Sequence, residues 1–234
     1  MESNKRIGSY KEYLRGKGLD IGSKGYTGEF NEIGSSPLEN ATGVDLDYPD
    51  YDGINLPFET ESQDFVHSSH MLEHVPTENL AKVFQEQHRV LKVGGHLVIS
   101  VPHQFLYERK TELPSIWNRD HKRFYTPASL MREIEESLEP NTYRVRILQD
   151  RDKDYDYSRP LSKGHPVGEY SIECVIEKII SPSWDIRTTY STWEQIDKEE
   201  AATTLPKAEG GPLSLSAEQL NDMLKQGRLT GGGL

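Results

Sequence analysis

The stretch DFVHSSHMLEHVPTENLAKVFQEQHRVLKVGGHLVISVPH, residues 64–103, decides the fold. It opens with a predicted strand over Asp64–Ser68 and continues into a predicted helix over Glu78–Leu91, whose apolar residues recur on one face at helical spacing. It closes with a buried-type strand over His96–Val101. A strand, a helix and a strand in this order predict a right-handed βαβ unit with parallel strands.

The same alternation extends outward from this stretch in both directions, and it predicts a doubly wound, mostly parallel α/β sheet. Ligands of such sheets bind beyond the carboxyl ends of the strands. We therefore expect the chemistry in the loops that follow the early strands. The other predicted elements are helices over Asn4–Arg15, near Thr27–Ile33 and over Pro127–Leu138, and strands over Gly18–Gly22, Ala41–Leu46, Tyr143–Leu148 and Tyr170–Ile179.

The character of the sequence changes after Ile180, which predicts two regions, a folded domain over 1–180 and a polar extension over 181–234. Proline and glycine punctuate the extension, as in linkers and surface-wrapping segments. Ser216–Gly227 is a candidate short helix, in which Ser216 and Gln219 would form a capping box. The extension could cover the active site, mediate dimers or contact another protein.

Composition narrows the function classes. The chain has 234 residues, a net charge of −11 and one cysteine, and its hydrophobic fraction is 34%. An acidic chain argues against a nucleic-acid partner, because phosphate backbones are bound by an excess of Lys and Arg. A single cysteine cannot form an intrachain disulfide, and no stretch approaches the roughly 18 to 20 apolar residues of a membrane span. We expect a cytoplasmic protein without a membrane span.

Four segments together resemble the class I S-adenosylmethionine (SAM)-dependent methyltransferases. This resemblance implies a seven-stranded Rossmann-like sheet with helices on both faces and one antiparallel strand. It also implies SAM as the cofactor and S-adenosylhomocysteine as its product. Within the family, the chain is similar to the branch that carries SSH-LEH and DHKRFYTPASL segments. That branch is associated with polysaccharide biosynthesis. The four segments are LDIGSKG (19–25), GVDLD (43–47), DGINLPFETESQDFVHSSHMLEHV (52–75) and RVLKVGGHLVISVPH (89–103).

The resemblance implies a role for each residue of the SAM site. An acid in the first strand orients the glycine turn and bonds the methionine amino group, and an acid that ends the second strand accepts both ribose hydroxyls. Asp47 stays open as an alternative to Asp45 for the ribose. The expected SAM-binding residues are Asp20, Gly22, Ser23 and Gly25 at the first turn, Asp45 and Leu46 at the end of the second strand, Asp52, Gly53 and Leu56 around the adenine, and Ser69 beneath the ligand.

Three histidines and an acid at the same loops are the candidate catalytic residues. Methyl transfer to a hydroxyl requires a base, and a histidine titrates near neutral pH. His70 follows the third strand, His103 follows the strand ending in Val-Pro, and His121 lies beside Asp120, which could orient it. For each histidine the alternative is a hydrogen-bonded or solvated ring. Asp120, His121 and nearby acids are suitable ligand types for a divalent ion, but no ligand spacing is diagnostic, so no metal is predicted.

We expect transfer of a methyl group from SAM to an oxygen of a sugar or another small polar acceptor. A homodimer is one assembly that we consider. The alternative of another class is a SAM-binding module without catalysis that acts in a larger complex. A nicotinamide-dependent oxidoreductase is disfavoured, because Lys24 and Tyr26 interrupt the glycine-rich turn that a pyrophosphate needs.

Overall fold

The structure is a computed structural model, and it describes residues 10–23 and 32–182. The chain divides into two units, Met1–Ser183 and Trp184–Leu234, and every described element lies in the first. The strands are β1 (Gly18–Ile21), β2 (Ala41–Val44), β3 (Gln63–Ser69), β4 (Leu91–Pro102), β5 (Tyr143–Arg151) and β6 (Ser171–Lys178). The α-helices are α1 (Thr77–Val90) and α2 (Pro127–Ser137).

The strands form one sheet in the order β2-β1-β3-β4-β6-β5. Strands β1 to β4 run parallel, whereas β6 is antiparallel to both of its neighbours. The sheet is therefore mostly parallel with one antiparallel strand, as the resemblance implied. Because β1, β3 and β4 point the same way, the loops that follow them leave the sheet at one edge.

The main core lies between the sheet and the two helices, which cover the same face. Alternate residues of the central strands point into it, including Leu19, Val66 and Ile99. Helix α1 adds Phe84 and helix α2 adds Ile134, both fully buried. The helices arise from apolar stripes at helical spacing. Thr126 caps α2 with a capping box, so the start of this helix is fixed by its own side chains.

The opposite face of the sheet is covered differently in the described part of the chain. Tyr10 is fully buried against Val98 and Val175, with Tyr13 and Leu14 beside it. The backbone here forms a short 3-10 turn, Lys11–Tyr13, where an α-helix through Arg15 was predicted. Within residues 10–23 and 32–182, the α-helices lie on one face of the sheet only. Residues 4–9 of the predicted helix Asn4–Arg15 lie outside the described residues.

The described sheet has six strands, where the resemblance implied seven. A further parallel strand beyond β2 would need a crossover before it and another after it, each of about a dozen residues or more. Residues 45–62, which connect β2 to β3, are too few for both crossovers and a strand. This connection is instead a turn-rich loop.

One boundary differs from the sequence prediction. Helix α1 ends at Val90, within one residue of its predicted end at Leu91, but β4 begins at once at Leu91 instead of at His96. Leu91 pairs with Gln63 of β3 and is fully buried, so tertiary pairing starts the strand before Gly94-Gly95, where the local glycine signal predicts a break. The helices expected near Thr27–Ile33 and over Ser216–Gly227 lie wholly or mainly outside the described residues.

Replacing Phe84 with alanine tests this core. We expect Phe84→Ala to lower the free energy of unfolding by about 3–5 kcal/mol, because the ring is fully buried against the sheet and leaves a cavity. Urea denaturation of the full chain measures the loss. The matched control is Val93→Ala, since Val93 is 46% exposed and should change stability by less than about 0.5 kcal/mol. Equal losses for both variants would contradict the described packing.

Candidate functional site

The carboxyl edge of the sheet gathers the candidate site. Gly22 follows β1, His70 follows β3 and His103 follows β4. The backbone N–H of His70 donates to the carbonyl of Ser100 at 2.8 Å, which continues the pairing of β3 with β4 past the end of the strand. The loops that were expected to carry the chemistry are therefore next to one another.

Asp20 is buried in β1, and the protein itself engages both of its carboxylate oxygens. Oδ1 lies 2.8 Å from Nδ1 of His67, and Oδ2 accepts a hydrogen bond from the Ser36 hydroxyl at 2.7 Å. The other ring nitrogen of His67 lies 3.4 Å from the hydroxyl of Tyr10. Asp20 thus ties β1 to β3 beneath the turn. A carboxylate has about four lone pairs, so a ligand amine can still be accepted.

The turn after β1 requires a glycine at position 22. Gly22 has φ +74°, and its N–H donates to the carbonyl of Val44 at 2.8 Å. A Cβ on Gly22 would lie 3.2 Å from Cβ of Met71, so a side chain would be both strained and crowded. Ser23 is buried beside β2, and Gly25 lies outside the described residues.

Asp45 immediately follows β2 and is partly exposed, whereas Asp47 is exposed. Oδ1 of Asp45 accepts the backbone N–H of Leu46 at 2.8 Å. The Leu46 side chain is 74% exposed, and a Cβ on Gly53 would lie 3.3 Å from it. Burial, together with the charge of Asp45, raises the pKa of Tyr51 to about 12. An acid, an exposed apolar side chain and a glycine therefore adjoin at the end of β2.

Three other expected ligand residues have different surroundings. Asp52 accepts hydrogen bonds from the backbone N–H and the side-chain amide of Asn55 and from the backbone N–H of Ile54, and these bonds hold its pKa below the usual range. Leu56 is buried in the main core. Ser69 is buried, and its hydroxyl has no hydrogen-bond partner among the described residues.

His70 stands at the centre of the edge with a left-handed backbone, at φ +51°. Its Nδ1 lies 3.5 Å from Oε1 of Glu73, and its Nε2 lies 3.3 Å from the hydroxyl of Ser171. The side chain is 31% exposed, so solvent or a ligand can reach it. A non-glycine residue held at positive φ is uncommon and often occurs at a functional site.

Glu73 is fully buried in the short 3-10 turn Leu72–His74. Oε1 lies 3.9 Å from Nε2 of His74 and 4.0 Å from Nε2 of His121. Burial alone would raise the pKa of Glu73, but His70 first, then His74 and His121, outweigh it and keep that pKa below the usual range. Burial lowers the pKa of His74, against the charge of Glu73.

His121 is oriented by Glu108 and not by Asp120, which is exposed. Nδ1 of His121 lies 2.5 Å from Oε1 of Glu108, and both side chains are buried. The backbone N–H of Lys122 donates to the carbonyl of Glu73 at 2.7 Å, so this loop is held against the turn that carries Glu73. The sequence did not identify Glu108 as the partner of His121, because Glu108 lies thirteen positions away on the π-helix Gln104–Glu108, which no sequence signal predicted.

His103 is buried at the end of β4 with both nitrogens engaged. Nδ1 accepts the backbone N–H of Phe105 at 3.0 Å, and Nε2 lies 3.4 Å from Oδ1 of Asp150. Burial lowers the pKa of His103, which the charge of Asp150 partly offsets. Because Nδ1 is an acceptor, the neutral ring carries its proton on Nε2 and has no free lone pair for a substrate.

Aromatic rings form a wall beside these histidines. Tyr107 lies with ring centroids 5.8 Å from His121, 5.2 Å from His165 and 4.9 Å from Tyr170. Trp117 contacts His165 at 5.5 Å. We use the name aromatic wall for five residues: Tyr107, Trp117, His121, His165 and Tyr170. Its members come from separate segments of the chain, so the sequence alone did not predict it.

The Arg123 side chain is engaged by the fold. Its guanidinium donates to the carbonyl of Leu72 and to the hydroxyl of Thr77, both at 3.0 Å, and it lies 3.5 Å from Glu133.

Sequence reasoning missed His67, Glu73 and Glu108. A polar residue inside a buried strand was a signal for His67, since buried polar groups need partners.

Comparison with known proteins agrees with this resemblance. Residues 31–99 match the family model described as a methyltransferase domain. The match, together with the fold, supports a class I SAM-dependent methyltransferase with SAM as its cofactor. No curated protein matches the chain.

Solved structures with this fold are distant in sequence. A SAM-dependent methyltransferase from Archaeoglobus fulgidus is 17% identical with a TM-score of 0.51, and the match covers 76% of this chain and 93% of that one. It agrees with the methyltransferase fold. Similarity is lower for a Methanosarcina mazei methyltransferase (14% identity, TM-score 0.45, 72% and 96% covered) and one from Mesorhizobium loti (14%, 0.42, 71% and 93%).

No described helix has both the length and the apolar character needed to cross a bilayer.

The pair formed by Asp20 and His67 can be tested through stability. We expect His67→Leu to lower the free energy of unfolding by about 1–3 kcal/mol, because it leaves a buried carboxylate oxygen without its partner. Chemical denaturation measures this loss. The control is His96→Leu, which removes a 3.9 Å contact with Glu177 and an edge-on contact with the Tyr13 ring at 5.0 Å but leaves no buried carboxylate without its partner, and it should cost less. A neutral effect of His67→Leu would show that the contact does not stabilise the fold.

Proposed function

We propose that this methyltransferase transfers the methyl group of SAM to a hydroxyl oxygen of a sugar or a similar small polar acceptor. The observation that carries the proposal is the aromatic wall beside His70, at the edge of the sheet where ligands of this fold bind. His70 contacts Tyr170 of this wall at a centroid distance of 6.5 Å.

The wall has the chemistry that a sugar requires. Tyrosine and tryptophan present apolar faces together with polar edges. A sugar ring has C–H groups on its faces and hydroxyls at its rim, so stacking and hydrogen bonding can act together. Arg123 is engaged by Leu72, Thr77 and Glu133, so it does not hold an anionic acceptor.

His70 is the base in this proposal. If Nδ1–H points to Glu73, then Nε2 is unprotonated and can accept a proton, as it can from the Ser171 hydroxyl at 3.3 Å. Glu73 then stabilises the imidazolium, in the manner of the acid behind the base in catalytic triads. His103 lacks such a free nitrogen, and Nε2 of His121 faces Glu73.

The reaction balances as one displacement. The acceptor oxygen forms a bond with the methyl carbon as the bond from that carbon to sulfur breaks. S-adenosylhomocysteine leaves, and the hydroxyl proton goes to Nε2 of His70. Alignment of the oxygen with the carbon–sulfur bond supplies much of the rate, which is a task for the aromatic wall.

For the cofactor, we propose that Asp45 accepts the ribose hydroxyls and that Leu46 and Gly53 border the adenine. Gly22 and Ser23 line the methionine end, with Asp20 behind them. Asp45 directly follows β2, whereas Asp47 is two residues further and exposed, which favours Asp45 over its alternative.

Calorimetry with SAM separates the two acids. Asp45→Ala should weaken SAM binding about 10- to 100-fold, since hydrogen bonds to a charged group contribute about 1.5–3 kcal/mol. Asp47→Ala is the matched control and should change the dissociation constant less than about threefold. If Asp47→Ala causes the larger loss, the ribose ligand is Asp47.

Turnover tests the base. His70→Ala should lower kcat by about 10²- to 10⁴-fold, the usual contribution of a general base. The affinity for SAM should stay within about threefold, because the change removes proton transfer and not cofactor contacts. The control is His88→Ala, on α1 outside the site. An unchanged kcat for His70→Ala would exclude His70 as the base.

The acceptor class is tested by incubating the full chain with SAM and a panel of sugars and glycans. Formation of S-adenosylhomocysteine together with a methyl ether supports the proposal. Methylated amines would contradict the choice of oxygen. SAM binding with no turnover of any acceptor favours the second function, a SAM-binding module in a larger complex. Four expectations from the sequence remain predictions. They are the division into 1–180 and 181–234, a cytoplasmic location, a role in polysaccharide biosynthesis and a homodimer.

A further inference from the structure

Glu73, His74 and His121 place three donor atoms around one point. One oxygen or nitrogen from each lies within 4.8 Å of the others. Two imidazoles and one carboxylate form the protein ligand set of many catalytic zinc sites, which leave a fourth position open. Zinc holds these atoms at about 2.0–2.2 Å, so modest side-chain rotations would close the site.

Glu73 supplies an independent reason to expect a cation. Its side chain is 1% exposed, yet neither carboxylate oxygen has a hydrogen bond of normal geometry among the described residues. Glu108 lies close by, wholly buried, with Oε2 also unpartnered. Within the described chain, no lysine or arginine forms an ion pair with either acid. Two buried carboxylates that share only histidines leave negative charge uncompensated, which is costly.

His121 is held in the orientation that a metal ligand needs. Nδ1 is 2.5 Å from the Glu108 carboxylate, so its proton points there and the lone pair of Nε2 faces Glu73. A carboxylate behind a ligating histidine is the usual outer partner of zinc-bound imidazoles. The ring of His74 packs edge-on against that of His121 at 4.9 Å, which brings the two imidazoles to one point.

The segments that carry these ligands are tied together by their backbones. Lys122 N–H donates to the Glu73 carbonyl, and Arg123 donates to the Leu72 carbonyl. Trp117 donates from its indole N–H to the carbonyl of Tyr107 at 2.8 Å, next to Glu108. The backbones that carry Glu73 and His121 are therefore fixed relative to each other, and the Glu73 and His121 side chains are buried, whereas that of His74 is 31% exposed.

We propose that Glu73, His74 and His121 bind one divalent transition-metal ion of the zinc class, with Glu108 as the outer partner of His121. The ion's role rests on the proposed function, because its open position would face the aromatic wall and take an acceptor hydroxyl. Binding there lowers the pKa of the hydroxyl. The proton passes to His70, the oxygen bonds to the methyl carbon of SAM, and the carbon–sulfur bond breaks.

The test uses cobalt(II) as a visible probe of the full chain, stripped of metal with a chelator. We expect a d–d absorption band of tetrahedral intensity that saturates near one equivalent and is displaced by zinc. The variants Glu73→Gln and His121→Ala should lose the band or weaken binding at least about tenfold, and Glu108→Gln should weaken it about 10- to 100-fold. His96→Ala is the control and should bind as the wild type does.

The wild type alone can overturn the proposal, whatever the folding of the variants. Absence of a stoichiometric cobalt band and of any zinc-dependent rise in melting temperature would show that no site exists. Equal binding by Glu73→Gln, with native circular dichroism, would place the ion elsewhere. Stripped enzyme that turns over as fast as zinc-loaded enzyme overturns the role in catalysis while leaving the proposed function intact. Stoichiometric cobalt binding without turnover of any acceptor supports the site and contradicts the proposed function.

Discussion

The register of β1, β3 and β4 is the constraint on which the site depends. Ile21 lies opposite Ser68, and Ser69 lies opposite Ser100, so the three parallel strands end close together. A slip of one residue would exchange the two faces of a strand. Asp20 and His67 would then turn toward the helix-covered core, and their apolar neighbours would turn away from it. Burial of apolar residues on the helix face therefore fixes where the polar groups of the other face meet.

The protein contains two clusters of buried carboxylates, and they differ in how far their oxygens are hydrogen-bonded. Asp20 is satisfied by His67 and Ser36 and connects neighbouring strands. Glu73 and Glu108 share histidines and leave carboxylate oxygens unpartnered. The first cluster is complete within the protein, which suits a scaffold beneath the cofactor turn. The second is incomplete within the described chain, which suits a group that contacts something beyond the protein.

Periodicity predicted the parallel sheet, both central helices and the edge at which the loops meet, because these follow from local apolar patterns. It placed the start of β4 too late, since pairing of Leu91 with Gln63 outweighs a local glycine signal. It also predicted an α-helix where the described residues after Tyr10 form a 3-10 turn. Such errors arise where tertiary contacts override propensity.

The site was only partly predictable for a similar reason. His70 and Asp45 directly follow strands, so topology alone places them at the edge. The partner of His121 is Glu108, thirteen positions away on an unpredicted π-helix, and nothing local distinguishes it from exposed Asp120. Side chains that meet through long loops require the folded structure.

The central claim is that SAM lies across the ends of β1 and β2 with its methyl group facing His70 and the aromatic wall. A crystal structure of the full chain with S-adenosylhomocysteine tests it most directly. We expect the ribose hydroxyls within hydrogen-bond distance of Asp45, the amino-acid end at the Gly22 turn, and the sulfur directed toward the space beside His70. A ligand bound elsewhere, or with its sulfur pointing away from His70, would contradict the account.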